Sequence, residues 1–264
     1  MIHLNDLLTA TQGVLLQSGV SSFAGFGFDS RRAAPGELFV ALVTPTGDGH
    51  AFVAEACAAG ATGILCQREV QAPLGVTVVR VDDTLRAMLA YAGYILTQRE
   101  LLVVAVTGSV GKTSTKEMVA TILSRRYAVL RSPESYNGRI GLPIALGQLE
   151  PEHTLAVLEL AADGLGEIDE LARIVRPQVG IITAVGESHL AAFGSREAIA
   201  REKTSLLAAI PAGGVAVLNA DDPVVRAMPT PPGVRRVLVG RDPAAELRIV
   251  DVQVGWDGTR VVLD

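Results

Sequence analysis

Chemistry in this chain is concentrated first in Thr107-Gly108-Ser109-Val110-Gly111-Lys112-Thr113-Ser114. A glycine-containing loop that ends in Lys-Thr and runs into a helix turns backbone N–H groups and a helix N-terminus toward an anion. Lys112 adds a positive point charge and the Thr113 hydroxyl can ligate magnesium, so a nucleoside triphosphate site over Gly108 to Ser114 is expected. The usual spacing of such loops places a glycine at position 106, where this chain has Val106. Other reactive side chains follow at Glu159, His189, Lys203 and Asn219-Ala220-Asp221-Asp222.

These residues need a scaffold. The apolar run Leu101–Val106 reads as a strand buried on both faces, and behind the loop Met118, Val119, Ile122 and Leu123 recur at helical spacing. Strand-like runs Leu155–Leu160, Val179–Val185 and Val215–Leu218 then alternate with helices beginning near Lys112, Gly166 and Ser195. That alternation predicts a doubly wound, mostly parallel sheet, whose ligands bind beyond the carboxyl ends of the strands. Glu159 ends the second run, Gly186-Glu187-Ser188-His189 follows the third, and Asn219 to Asp222 follow the fourth. Glu159 is read as a magnesium ligand rather than a solvent-facing carboxylate, because parallel strands rarely expose a face. His189 stays open between ligand and structural roles. With Ser195 as N-cap, Ile199, Lys203, Leu206 and Ile210 share one stripe, so Lys203 either snorkels or does chemistry with an amine that burial makes available.

Before residue 100 the pattern is mixed. Helix is expected over Leu4–Leu16, a Pro35-Gly36 turn leads into strand Leu38–Leu42, and a helix over Ala51–Ala59 ends at Gly60. Strands at Thr62–Cys66 and Val76–Val81 precede a helix from Thr84 to Gln98. The fold expected is α/β: a small mixed domain over residues 1–99, then a P-loop domain over residues 100–264. The latter ends in a β-hairpin, RIVDVQVGWDGTRVVLD, about Asp257-Gly258.

The chain of 264 residues is 49% apolar and 19% charged, ample for two cores. Its formal charge of −5 argues against nucleic acid and anionic membranes as partners. No apolar run is long enough to span a bilayer, so no membrane insertion is expected. Cys57 and Cys66 lack metal-type spacing and read as buried, reduced thiols of a cytoplasmic protein.

The order of these pieces resembles the Mur ligase family, the ATP-dependent amide-forming enzymes of peptidoglycan precursor synthesis. DSRRAAPGELFVAL and GDGHAFVAEACAAGA look like its uridine-diphosphate-sugar domain, and TGSVGKTSTKEM has its short phosphate loop, which accounts for Val106. YNGRIGLP, LELAADGLGEI, GESHLAAFGSREAIAREK and LNADDP follow in family order, and Thr115-Lys116-Glu117 is typical of the dipeptide-adding branch. Two motifs depart from that branch: Asn137-Gly138-Arg139 replaces two asparagines and a glutamate, and HLAAFG replaces HLEGFG.

The resemblance implies a ligase that joins D-alanyl-D-alanine to UDP-N-acetylmuramoyl-tripeptide through an acyl phosphate, using ATP and Mg2+, as a monomer. It implies Lys112 on the β- and γ-phosphates, with Thr113 and Glu159 on a first magnesium. His189 and a carbamylated Lys203 would hold a second, with Asn137 near the phosphates. Asn219 and Asp222 would border the nucleoside, and Ser30 and Arg31 would lie near the uridine diphosphate. The family's third domain is not represented, so a fragment not fully competent alone is expected. The alternatives are a branch adding a single amino acid and a P-loop regulatory module without ligase turnover. A guanine switch is disfavoured, because Asn219-Ala220-Asp221-Asp222 lacks the lysine of Asn-Lys-x-Asp.

Overall fold

Apolar strands joined by half-apolar helices must cover both faces of a parallel sheet, and the region after residue 101 does so. The computed structural model describes residues 1–133, 136–187, 190–256 and 258–264. They fall into two units, Met1–Leu101 with Arg139–His153 and Leu102–Gly138 with Thr154–Asp264.

The first unit opens with β1 (Ile2–His3), α1 (Leu4–Thr11), β2 (Val14–Gln17), β3 (Ser22–Phe23) and β4 (Phe26–Gly27). It continues through β5 (Leu38–Val40), β6 (Val43–Thr44), β7 (Gly47–Asp48), α2 (Val53–Ala58), β8 (Gly63–Cys66), β9 (Thr77–Arg80) and α3 (Thr84–Thr97). Its main sheet has the order β2-β9-β8-β5-β4, parallel except for β2. Phe39, Ala56, Ile64 and Val78 form part of its core.

In the second unit β10 (Leu102–Thr107), α4 (Lys112–Leu123) and β11 (Val129–Arg131) come first. After α5 (Gly141–Gly147), which belongs to the first unit, follow β12 (Leu155–Glu159), α6 (Glu167–Val175) and β13 (Val179–Ile182). Then come α7 (Leu190–Phe193), α8 (Arg196–Ala208), β14 (Val215–Asn219), α9 (Pro223–Arg226), β15 (Arg235–Gly240), β16 (Leu247–Gly255) and β17 (Gly258–Leu263). The sheet order is β11-β12-β10-β13-β14-β15-β16-β17, parallel throughout except for the terminal β16–β17 hairpin. Val104, Val106, Leu155 and Val157 bury one face against α4. On the other face a Cβ at Gly180 would lie 2.8 Å from Ile210 and 3.4 Å from Leu206, so β13 sits tight beneath the end of α8. The doubly wound parallel sheet with a hairpin tail is therefore present; Asp257 lies outside the described residues. Among the described residues no helix is long and apolar enough to cross a membrane.

Several expectations need correction. The first helix stops at Thr11 instead of Leu16, because Gln12 takes a left-handed conformation (φ 53°) and Val14–Gln17 pairs with β9. In α4 the buried positions are Lys116 and Ala120, flanked by the packed Val119 and Leu123, while Met118 and Ile122 are exposed. Lys116, Val119, Ala120 and Leu123 fit the three- and four-residue spacing of one helix face, which the polar Lys116 disguised. Cys57 is only half-buried, although Cys66 is buried as expected and both are free.

The boundary at residue 100 is incomplete, since residues 139–153 join the first unit. Every residue of α5 is buried, so this helix needs apolar neighbours all round, and it finds them on α3 and β4. Leu146, 1% exposed, is expected on Ala substitution to destabilise the first unit by about 2–5 kcal/mol. Hydrogen exchange should then quicken across Gly63–Cys66 and stay unchanged across Val179–Ile182.

Candidate functional site

Strand register brings the reactive groups level. Val106 of β10 lies opposite Glu159 of β12 and Ile181 of β13, and Ile182 lies opposite Leu218 of β14. Leu155, Val157 and Glu159 alternate onto the same face of the sheet, the one α4 covers. Glu159 is consequently 1% exposed and aimed at the start of that helix.

Its carboxylate is met from two sides. The Thr113 hydroxyl donates to Oε2 at 2.9 Å and the Asn137 amide donates to Oε1 at 2.8 Å. Asn137 is itself fixed, its carbonyl accepting from the Ala161 N–H at 2.9 Å. Hydroxyl and carboxylate are hard oxygen groups of the kind magnesium prefers, and magnesium at phosphate sites needs only one or two protein ligands. Among the described residues there is no cluster of three or more His, Cys, Asp or Glu side chains that could cage a metal alone.

Val106 lies within β10, so the loop is shorter than the common spacing requires. Its first glycine is Gly108, at φ 155°, where a Cβ would come within 1.9 Å of the Thr183 hydroxyl. Gly111, at φ 80°, caps α4 without a side chain, so the helix start keeps its N–H groups for an anion. Ser109 and Val110 are held from the segment just past β13: the Ser109 N–H donates to the Ala184 carbonyl at 2.8 Å, and the Thr183 hydroxyl donates to the Val110 carbonyl at 2.6 Å. Ser114 follows Lys112 and Thr113 in the first turn of α4.

Lys203 lies on the buried stripe of α8 with Ile199 and Leu206, itself 8% exposed. Burial above all, and then the charge of Lys112, lower its pKa to about 8, against a smaller opposing pull from Glu202. Two lysines from helices on opposite faces of the sheet thus share one field. His189, with Ser188, lies outside the described residues.

Asn219 and Asp222 hold the rim. Asn219 donates its amide N–H to the Thr183 carbonyl at 2.8 Å. Asp222 caps α9 and accepts from the Val185 N–H at 2.8 Å. Both side chains are engaged with backbone, so they brace the loop that in turn braces Ser109 and Val110. In the first unit, Ser30 is buried and donates to Glu55 at 3.0 Å, while Arg31 pairs with Asp29 at 2.8 Å. They line a cavity of about 460 Å³ with the exposed rings of Phe28 and Phe52.

Two contributors escaped the sequence reading. Thr183 was read as part of the strand run Val179–Val185 but lies just past the end of β13 at Ile182, and it gave no signal beyond its type. Glu202, 5% exposed, accepts from the N–H groups of Gly166 and Ile168 at 2.7 Å each and so caps α6 from α8. Its spacing from Ile199 and Leu206 could have revealed it as inward-facing.

Residues 106–264 match the Mur ligase middle domain. Over 238 residues the chain is 39% identical to the UDP-N-acetylmuramoyl-tripeptide–D-alanyl-D-alanine ligase of Synechocystis sp., covering 89% of this chain and 51% of that protein. MurF from Acinetobacter baumannii superimposes with a TM-score of 0.85 at 30% identity, over 99% of this chain and 59% of that one. The MurF ligase of Thermotoga maritima, solved in complex with ADP, gives 0.75 at 28% identity, over 90% and 57%. The chain spans about half the length of the curated relatives it matches. With its short phosphate loop, its buried Glu159 and a match over more than half its length, this chain belongs to the Mur ligase family.

Proposed function

We propose that this chain forms the sugar-nucleotide-binding and ATP-binding parts of a ligase that adds D-alanyl-D-alanine to UDP-N-acetylmuramoyl-tripeptide in peptidoglycan precursor synthesis. The observation that carries this reading is the Thr113–Glu159–Asn137 cluster, set behind a phosphate loop in a chain whose relatives bear that activity in their names. The reaction runs in two stages. The tripeptide carboxylate takes the terminal phosphoryl group of ATP, consumed as a substrate, and ADP leaves. The dipeptide amine then attacks the acyl carbon, losing a proton as phosphate departs.

In this reading Lys112 and the N–H groups at the start of α4 neutralise the phosphates, and Asn137 keeps Glu159 turned toward Thr113. Magnesium held by Thr113 and Glu159 would lower the charge of the transferred group. His189 and Lys203 would hold a second ion. For that, the neutral Lys203 amine adds to carbon dioxide and releases a proton, which turns a buried cation into an oxygen donor. Asn219 and Asp222 shape the nucleoside end through the Thr183–Val185 backbone that they hold. Ser30 and Arg31 serve the uridine diphosphate, with Phe28 and Phe52 offering ring faces to the base. The two free thiols accord with a cytoplasmic setting, and the protein is taken to act as a monomer.

Lys112→Ala, in the protein as it occurs in the cell, is expected to lower ATP-dependent ligation by about 10²–10³-fold, followed as phosphate release. A near-normal rate would refute the assignment. Because the Lys203 pKa lies at about 8, below the usual 10.5, its neutral fraction grows as pH rises through 8. With ¹³C-bicarbonate, a carbamate resonance should therefore strengthen between pH 7 and 9 and be absent from Lys203→Arg. Arg31→Ala should weaken binding of the UDP-linked tripeptide roughly tenfold by calorimetry, leaving ATP binding as it was.

A further inference from the structure

Lys116 is fully buried in α4, one turn beyond Lys112, and the reaction as described makes no use of it. Taking an ammonium out of water costs several kcal/mol, so an apolar residue of equal size would fill the place at less expense. What the lysine does is span a gap between elements. Its Nζ donates to the Ser132 carbonyl at 2.6 Å, just past the end of β11, and pairs with Glu117 at 2.9 Å. The second oxygen of Glu117 pairs with Arg131 at 2.9 Å, so the ion pairs run from α4 onto the edge strand. Hydrogen bonding from Lys116, more than the neighbouring Arg131, holds the Glu117 carboxyl below its usual range.

Ser132 in turn touches β12. Its N–H donates to the Val157 carbonyl at 3.2 Å, and its hydroxyl oxygen accepts from the Glu159 N–H at 3.3 Å. Thr113 and Glu159 stand on separate elements, and their hydroxyl-to-carboxylate distance of 2.9 Å depends on how far α4 lies from the end of β12.

We propose that Lys116 is a positioning residue for the magnesium site, setting through Ser132 the place of Glu159 relative to Thr113. The inference deepens the nucleotide reading and rests on it. A side chain that orients a metal ligand from behind is worth about 10–100-fold in metal affinity. Lys116→Met keeps the length of the side chain and removes the charge and the donor.

In calorimetric titrations of the chain with ATP at a series of magnesium concentrations, this variant should need about tenfold more magnesium for half-saturation. Its binding of ATP without magnesium should be unchanged. A purely structural lysine would lower the melting midpoint and leave the magnesium requirement alone, and that outcome overturns the proposal. Should Lys116→Met fail to melt cooperatively, Ser132→Ala carries the test, since it removes one hydroxyl only. It should shift the magnesium requirement in the same direction, and an unchanged requirement overturns the proposal equally. If the unsubstituted chain shows no magnesium-dependent nucleotide binding, the nucleotide reading has failed and this inference falls with it. If it does bind and the variants match it, the fault lies with Lys116 alone.

Discussion

A carboxylate buried at the end of a parallel strand must find its donors inside the protein, and Glu159 finds them on two other elements. The cost of leaving such a group unpaired exceeds that of ordering the loops that reach it. Thr113 therefore fixes the start of α4, and Asn137 fixes the segment that follows β11. The alternation of Leu155, Val157 and Glu159 decides which face of the sheet carries the site, and a slip of one residue would send the carboxylate to the other.

The cationic side of the site obeys a different constraint. The chain is acidic overall, at −5, yet the half-buried Lys112 and the buried Lys203 are close enough to feel each other. Like charges held together in this way favour whatever negative group enters between them. They also favour loss of a proton from the more buried of the two. Thr183 holds the backbone of the phosphate loop, and Asn219 and Asp222 hold the Thr183–Val185 backbone in turn, so that the dipoles are in place before a ligand arrives.

Much of this was legible in the residues. The phosphate loop, the Ser195 cap and three of the four strand ends followed from patterns that depend on local physics: glycine placement, strand burial and helical periodicity. So did the inward stripe of α8, on which Lys203 sits. The third strand stops at Ile182, short of the expected Val185. The reading lost its way where distant contacts decide. Helix propensity runs on past Thr11, but pairing with β9 takes Val14–Gln17 for the sheet. Lys116 reads as a surface residue by type, and its contacts with Ser132 and Glu117 become visible only in the fold. The contact of Gly108 with Thr183, which a side chain there would prevent, likewise had no signal in the sequence.

The passage of α5 into the first unit bears on how this protein could be dissected. Because residues 139–153 return to pack with α3 and β4, neither unit is a single uninterrupted stretch of chain. A gene cut near codon 100 would yield an amino-terminal piece with a bare apolar trough where that helix belongs, prone to stick to itself. Supplying the missing segment as a separate peptide, or grafting it after Leu101 through a flexible tether, would be the physically sensible way to obtain that piece alone.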